Sequence, residues 1–109
     1  MLNDVDLRLR YQVRADGQED VAVEFKSYSN PREWAKICVA FANSLPLDFW
    51  GVLFIGIGPD GKPQPGLNLE TIQIDLKNAL DHTYPPVYAA PTVFRVSDAA
   101  ILARISHQG

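Results

Sequence analysis

Three arginines near the start of the chain have the residue type and spacing best suited to binding chemistry. Arg8, Arg10 and Arg14 occupy even positions, so they share one face if this segment is a strand. Guanidinium groups at strand spacing can contact successive phosphates of a polyanion. The alternative is pairing with Asp20 and Glu24 on a neighbouring strand, which would leave an ordinary solvated face. Both interpretations stay open at this point.

Acidic and metal-ligating residues give a weaker signal. Glu19 and Glu24 would lie about 17 Å apart along an extended strand, so they converge on one metal or water only if a bulge intervenes. The sequence therefore favours a solvated strand face for them. His82 and His107 are far from each other and from Cys38, which argues against a zinc site. Cys38 itself falls on an apolar helix face and is interpreted as an inert core thiol.

Composition narrows the function classes further. The 109 residues predict a single domain over residues 1–109. A net charge of −3 excludes a generally basic nucleic-acid coat, so any polyanion contact must come from a local patch. The chain has one cysteine, no segment typical of a signal peptide, and no apolar run long enough to span a bilayer. We therefore expect a cytoplasmic protein without membrane contact.

The elements that would position these residues follow from hydrophobic periodicity. Apolar residues alternate with polar ones from Val5 to Val13 and again from Val21 to Ser27, with turn chemistry at Asp16-Gly17 between them. This pattern predicts a β-hairpin. A helix then begins after Asn30-Pro31 and runs to about Asn43, with its apolar face packed on the hairpin.

The second half of the chain predicts one buried strand, a helix and a second pair of strands. Trp50 to Ile57 is a continuous apolar run, typical of a central strand covered on both faces. Gly56 and Gly58 lead into a turn rather than a helix, so no phosphate-cradling loop is predicted. A second helix begins near Asn68. Strands follow at Thr92–Val96 and Ala100–Ile105, joined at Ser97-Asp98.

The predicted fold class is therefore α+β: a mixed sheet of about five strands with two helices, in the order β-β-α-β-α-β-β.

Four short motifs in the same order as in a known family add to this interpretation. They are Val23-Glu24-Phe25-Lys26, Ala40-Phe41-Ala42-Asn43, the strand from Gly51 to Ile57, and Asp60-Gly61 followed by Gly66. Together they resemble the Schlafen-type, Alba-like DNA-binding domain from about Glu19 to Gly66. The resemblance implies nucleic-acid binding, and some Schlafen relatives are similar to metal-dependent endoribonucleases.

The acidic residues of the Schlafen nucleases are only partly matched in this chain. Glu19 and Glu24 match two acids of the Schlafen nucleases, whereas the third acid would have to be Asp60 after a one-residue shift. A displaced carboxylate need not reach the same Mg²⁺ or Mn²⁺, which requires near-octahedral placement. The glycine pair before the strand is also replaced, which adds Phe49 and Trp50 as core residues or, alternatively, as an aromatic platform.

The leading functional hypothesis is a non-catalytic nucleic-acid-binding or regulatory module with DNA or RNA as partner and no cofactor. Two alternatives remain: a Mg²⁺- or Mn²⁺-dependent endoribonuclease using Glu19, Glu24 and Asp60, and a protein-interaction or homodimerisation module that docks through edge strands. The predicted nucleic-acid contacts are Arg8, Arg10, Arg14, Lys26, Arg32 and Lys36.

Overall fold

A computed structural model gives the fold, and it describes residues 3–19, 22–28, 30–45, 50–58, 60–81, 88–96 and 99–107. Within these ranges the elements are α1 (Asp4–Ala15), β1 (Val23–Lys26), α2 (Pro31–Ser44), β2 (Gly51–Ile55), α3 (Leu69–Leu80), β3 (Tyr88–Val96) and β4 (Ala99–His107).

The four strands form one mixed sheet in the order β1-β2-β4-β3. β1 and β2 are parallel, with Val23 opposite Val52, while β2 pairs with β4 and β4 with β3 in the antiparallel sense. Every residue of β2 is buried, as a strand with neighbours on both edges and helices on both faces requires. The prediction of a central buried strand is confirmed.

Helices cover both faces of the sheet, because the side chains of β2 alternate between two apolar clusters. Val52 and Phe54 pack with Leu7 of α1 on one face. Leu53 and Ile55 pack on the other face with the apolar sides of α2 and α3. Among the described residues the result is a three-layer arrangement, with α1 on one face of the sheet and α2 and α3 on the other.

The predicted fold class is wrong in its element count and order. The described chain has three helices and four strands, arranged α-β-α-β-α-β-β, and the parallel part of the sheet consists of the β1–β2 pair alone. The error lies in residues 5–13, which form helix α1 instead of the first strand of a hairpin. Only the α+β class itself remains.

Local signals for α1 are present in the sequence alongside the misleading alternation. The side chain of Asn3 accepts from the backbone N–H of Asp6, whose own side chain accepts from the backbone N–H of Asn3. This reciprocal capping box satisfies free N–H groups of the first turn. As a helix the segment buries Leu7 but leaves Val5 73% and Leu9 65% exposed. The alternation therefore did not describe one buried face.

The other predicted helices and strands are present in the structure, although β1 pairs in parallel with β2 and not with a hairpin partner. Asn30 caps α2 with Pro31 in the first turn, and Asn68 caps α3 by accepting from the backbone N–H of Thr71. Strands β3 and β4 are both longer than predicted. Their predicted junction at residues 97–98 lies outside the described residues.

Candidate nucleic-acid interface

A cleft of about 460 Å³ opens where the parallel strands β1 and β2 reach their carboxyl ends. Ligand sites in sheets with parallel strands commonly occur at this edge, because the chain leaves the sheet there and opens a crevice. Three segments wall the cleft: the last turn of α1, the end of β1 and the turn that follows β2. The side chains of the cleft that could bind a ligand through charge or an aromatic ring are Arg14, Phe25, Lys26 and Asp60.

Arg14 is held in the cleft by an aromatic ring. Its Cζ atom lies 5.7 Å from the centroid of the Phe25 ring, a cation–π distance. That ring is itself packed by Tyr11, with centroids 5.4 Å apart, and by the edge of Phe54 at 5.7 Å. Because a guanidinium on a packed ring has few alternative positions, Arg14 presents its N–H donors from a defined place.

The turn after β2 is fixed by hydrogen bonds to both neighbouring segments. The backbone N–H of Gly56, which has φ of 105°, donates to the carbonyl of Lys26 at 2.7 Å. The Tyr11 hydroxyl donates to the carbonyl of Gly61 at 2.7 Å, which ties α1 to the turn. Asp60 accepts from the backbone N–H of Lys62 at 3.0 Å. The Asp60 carboxylate is therefore held at the rim of the cleft.

The position of Tyr11 beside the turn changes the pKa of its hydroxyl group. Burial raises the pKa of the Tyr11 hydroxyl above its ordinary value, and the negative charge of Asp60 raises that pKa further. Tyr11 therefore remains a neutral hydrogen-bond donor to the turn.

The two cations in the cleft are distinguished by lying together in one concavity that partly buries both of them. Arg14 and Lys26 are both partly buried, and within the described ranges neither makes a hydrogen bond or ion pair through its side chain. Removing a charge from water without a compensating anion costs free energy. An anion entering the cleft would offset that cost at two points simultaneously.

The other arginines of α1 are engaged within the protein. Arg8 donates through Nε to Asp4 at 2.8 Å and through Nη1 to the carbonyl of Arg95 at 3.3 Å. Arg10 donates through Nη1 to the carbonyl of Trp50 at 2.6 Å. The predicted row on a strand face is therefore corrected: these arginines lie on a helix, and the acid that pairs with Arg8 is its own helical neighbour. The predicted acidic partner at position 20 lies outside the described residues.

The two predicted contacts on α2 lie on a different layer. Arg32 and Lys36 are exposed on α2, across the sheet from α1, and Lys36 pairs with Glu33 at 3.2 Å. The structure thus brings together Arg14 and Lys26 among the six predicted nucleic-acid contacts. Nucleic-acid binding by any of the six remains a prediction.

The acids of the nuclease alternative do not assemble into a metal site. In the part of the chain that the structure describes, no group of three His, Cys, Asp or Glu side chains could hold a metal ion. Glu19 is exposed beyond the end of α1, and Glu24 lies partly buried in β1, whereas Asp60 sits in the turn of the cleft. The geometry gives no support to a three-carboxylate centre.

The aromatic residues before β2 are described in part. Trp50 is partly buried and packs against the cluster between α1 and the sheet, as the core interpretation predicts. Phe49 lies outside the described residues.

Two residues that organise the site were not identified from the sequence. The alternating pattern predicts Tyr11 on a strand face, and no local pattern marks the Gly61 carbonyl as an acceptor. The spacing of Leu7, Tyr11 and Arg14 is a helical one, and it could have placed all three on the same side of a helix. The contact of Tyr11 with Gly61 had no signal, since the two residues are 50 positions apart.

Comparison with solved structures finds a protein domain of similar fold. The chain is similar over 94% of its length to the N-terminal domain of a protein from Nitrosomonas europaea described as related to the ATP-dependent DNA helicase RecG. The TM-score is 0.69 and the identity 22%, with 71% of that domain's chain covered, so this likeness concerns the fold. No curated protein matches the chain. None of the helices in the described ranges is long and apolar enough to cross a membrane.

A family model described as Schlafen, AlbA_2 matches residues 19–108. The match includes both cleft-lining strands and the turn with Asp60, but it begins after α1. It confirms the resemblance carried by the four motifs: the chain belongs to the Schlafen, AlbA_2 family.

Proposed function

We propose that this chain is a nucleic-acid-binding module that holds the phosphate backbone of its ligand in the cleft between α1, β1 and the turn after β2. The observation that carries the proposal is the pair Arg14 and Lys26, partly buried in one cleft without an ion pair among the described residues. On a chain with a net charge of −3, such a local pair supplies the attraction that overall charge does not.

Membership in the Schlafen, AlbA_2 family supports a nucleic-acid ligand, and the structural neighbour is named after a DNA helicase. Arg14 adds a chemical reason, because a guanidinium presents its N–H donors in a planar fork that matches phosphate oxygens. The module makes its contacts with the backbone, so we propose binding without strong sequence preference and without catalysis. A regulatory or effector activity would come from a protein attached to it or bound by it.

The salt dependence of binding provides the test. One phosphate neutralised in the cleft predicts a slope of log K against log[salt] of about −0.7 for a single strand and about −0.9 for duplex DNA. Fluorescence anisotropy with a labelled oligonucleotide, at roughly 20 to 200 mM salt, measures this slope. In this range the salt dependence reports the release of counterions condensed on the nucleic acid.

Charge-removing variants identify the residues involved. Arg14→Gln and Lys26→Gln should each weaken binding on every sequence and make the salt dependence less steep. Lys77→Gln is the matched control, because it removes the same charge from an exposed position on α3, across the sheet. An absence of binding at low salt, or an equal loss with the Lys77 variant, would refute the proposal.

A further inference from the structure

The cleft has features that restrict which form of phosphate it can take. We infer that it binds one internal phosphodiester of a single strand, in preference to a duplex, a terminal phosphate or a free nucleotide. This inference rests on the proposed function and specifies the ligand of the same site. Three independent features support it: the net charge of the cleft, the hydrogen bonds already made by the backbone of the turn, and the shape of the cleft.

The charge of the cleft matches a phosphodiester. Arg14 and Lys26 contribute two positive charges, and Asp60 at the rim contributes one negative charge, which leaves a net charge of +1. An internal phosphodiester carries a single negative charge, whereas a phosphomonoester carries about −1.5 to −2 at pH 7. The second charge of a terminal phosphate would therefore lack a partner, and Asp60 would repel it.

The backbone of the turn offers little to a polyphosphate. Loops that cradle di- and triphosphates direct several free N–H groups at the ligand. In this turn the N–H of Gly58 donates to the carbonyl of Lys62 at 2.9 Å, and the N–H of Gly61 donates to the carbonyl of Gly58 at 2.9 Å. Because these donors are already used, recognition of phosphate depends on the two side chains.

The shape of the cleft favours a single strand over a duplex. Proteins that bind duplex DNA insert a projecting helix or ribbon into a groove. Here the cations are partly buried in a concavity of about 460 Å³, so the ligand must enter the protein instead. That volume lies within the range of pockets for small ligands, and a flexible single strand can present one nucleotide to it.

The aromatic residue of the cleft indicates little discrimination between bases. Single-strand binders usually stack bases on exposed aromatic rings. The Phe25 ring is already in contact with Arg14, Tyr11 and Phe54, so it supports the guanidinium and is poorly placed to stack a base. The inferred contact is therefore with the backbone, and strands of different base composition should bind alike.

The first experiment compares ligands on the wild-type chain at low salt. The probes are a single strand of about ten nucleotides with a 5′-hydroxyl, the same strand with a 5′-phosphate, and a blunt duplex of that sequence. We expect the single strand to bind roughly tenfold tighter than the duplex and the 5′-phosphate to change its affinity less than about twofold. Inorganic phosphate and a nucleoside monophosphate should compete weakly.

The second experiment alters the charge at the rim. Asp60→Asn removes the negative charge, while the amide oxygen can still accept from the backbone N–H of Lys62 and preserve the turn. The variant should bind the 5′-phosphorylated strand more tightly relative to the 5′-hydroxyl strand. Asp81→Asn at the end of α3 is the control for overall charge, because it leaves the cleft unchanged.

The outcomes separate this inference from the proposed function. Equal binding of duplex and single strand, with both still weakened by Arg14→Gln, would overturn the inference and leave the function standing. Strong preference for the 5′-phosphate or effective competition by the monophosphate would identify a terminal or free nucleotide as the ligand and also overturn it. Equal behaviour of the Asp60 and Asp81 variants would refute the charge argument. An absence of binding by any nucleic acid would refute both proposals.

Discussion

Two leucines of the first helix distinguish the observed structure from the strand that the alternation predicts. Leu7 and Leu9 are both odd-numbered, so in a strand their side chains would share the buried face. In helix α1 they separate: Leu7 is 2% exposed and packs against Val52 and Phe54, whereas Leu9 is 65% exposed. Replacing each leucine with alanine therefore gives a direct measure of which arrangement exists.

The two substitutions should differ strongly in cost. Leu7→Ala removes a buried side chain and leaves a cavity, which lowers the free energy of unfolding by about 2–5 kcal/mol. Leu9→Ala removes mostly solvated surface and introduces the residue with the highest helix propensity, so its effect should stay within about 0.5 kcal/mol. Equilibrium unfolding in urea measures both values, and Leu7→Ala should lower the midpoint by roughly 1 M or more.

The control is the slope of the unfolding transition. An unchanged slope in both variants shows that the difference is one of stability and not of compactness. Similar losses of unfolding free energy in the two alanine variants would contradict the helical assignment, and so would a larger loss for Leu9→Ala. Either result would also remove the basis for placing Arg14 in the cleft, since α1 supplies that wall.

Substitutions at Gly51 and Tyr11 give two further predictions for the free energy of unfolding. In Gly51→Ala the added Cβ would lie 2.5 Å from the Phe41 ring, so this overpacking should cost about 1–3 kcal/mol in urea unfolding, and an unchanged midpoint would contradict the tight contact. Tyr11→Phe removes the hydrogen bond to Gly61 and should cost about 1 kcal/mol near neutral pH. Because burial and the charge of Asp60 raise the pKa of Tyr11 in the folded state, the stabilising contribution of its protonated hydroxyl is present below pH 10. It is lost as the pH rises through the higher folded pKa, so the stability difference between wild type and variant should shrink there, and a difference that grows would refute the assignment.

Much of the fold was accessible from local sequence signals. Asn30 and Asn68 cap the helices that they were predicted to cap, because a side-chain oxygen next to free N–H groups acts within one turn. The apolar run in β2 predicted its burial on both faces, since a strand covered by helices on either side has no polar face. Such features depend on neighbouring residues alone.

Helix α1 shows where local signals conflict. Its sequence carries a period-two alternation and also an apolar pair four residues apart, Leu7 and Tyr11. Both patterns are real, and each is compatible with a different element. Packing of Leu7 against the sheet, together with the capping box at Asn3, favours the helix, and only the first of these requires knowledge of the fold.

The sequence by itself determined the residue types of the site: the basic residues, the turn that carries Asp60, and the motifs that mark the family. Only the tertiary structure decided which cations share a cleft, because Arg14, Lys26 and Asp60 come from three segments separated along the chain. It also decided that Arg8 and Arg10 are engaged with Asp4 and Trp50. The physical reason is that the environment of a charge depends on distances through space, and those distances exist only once the sheet and α1 have packed.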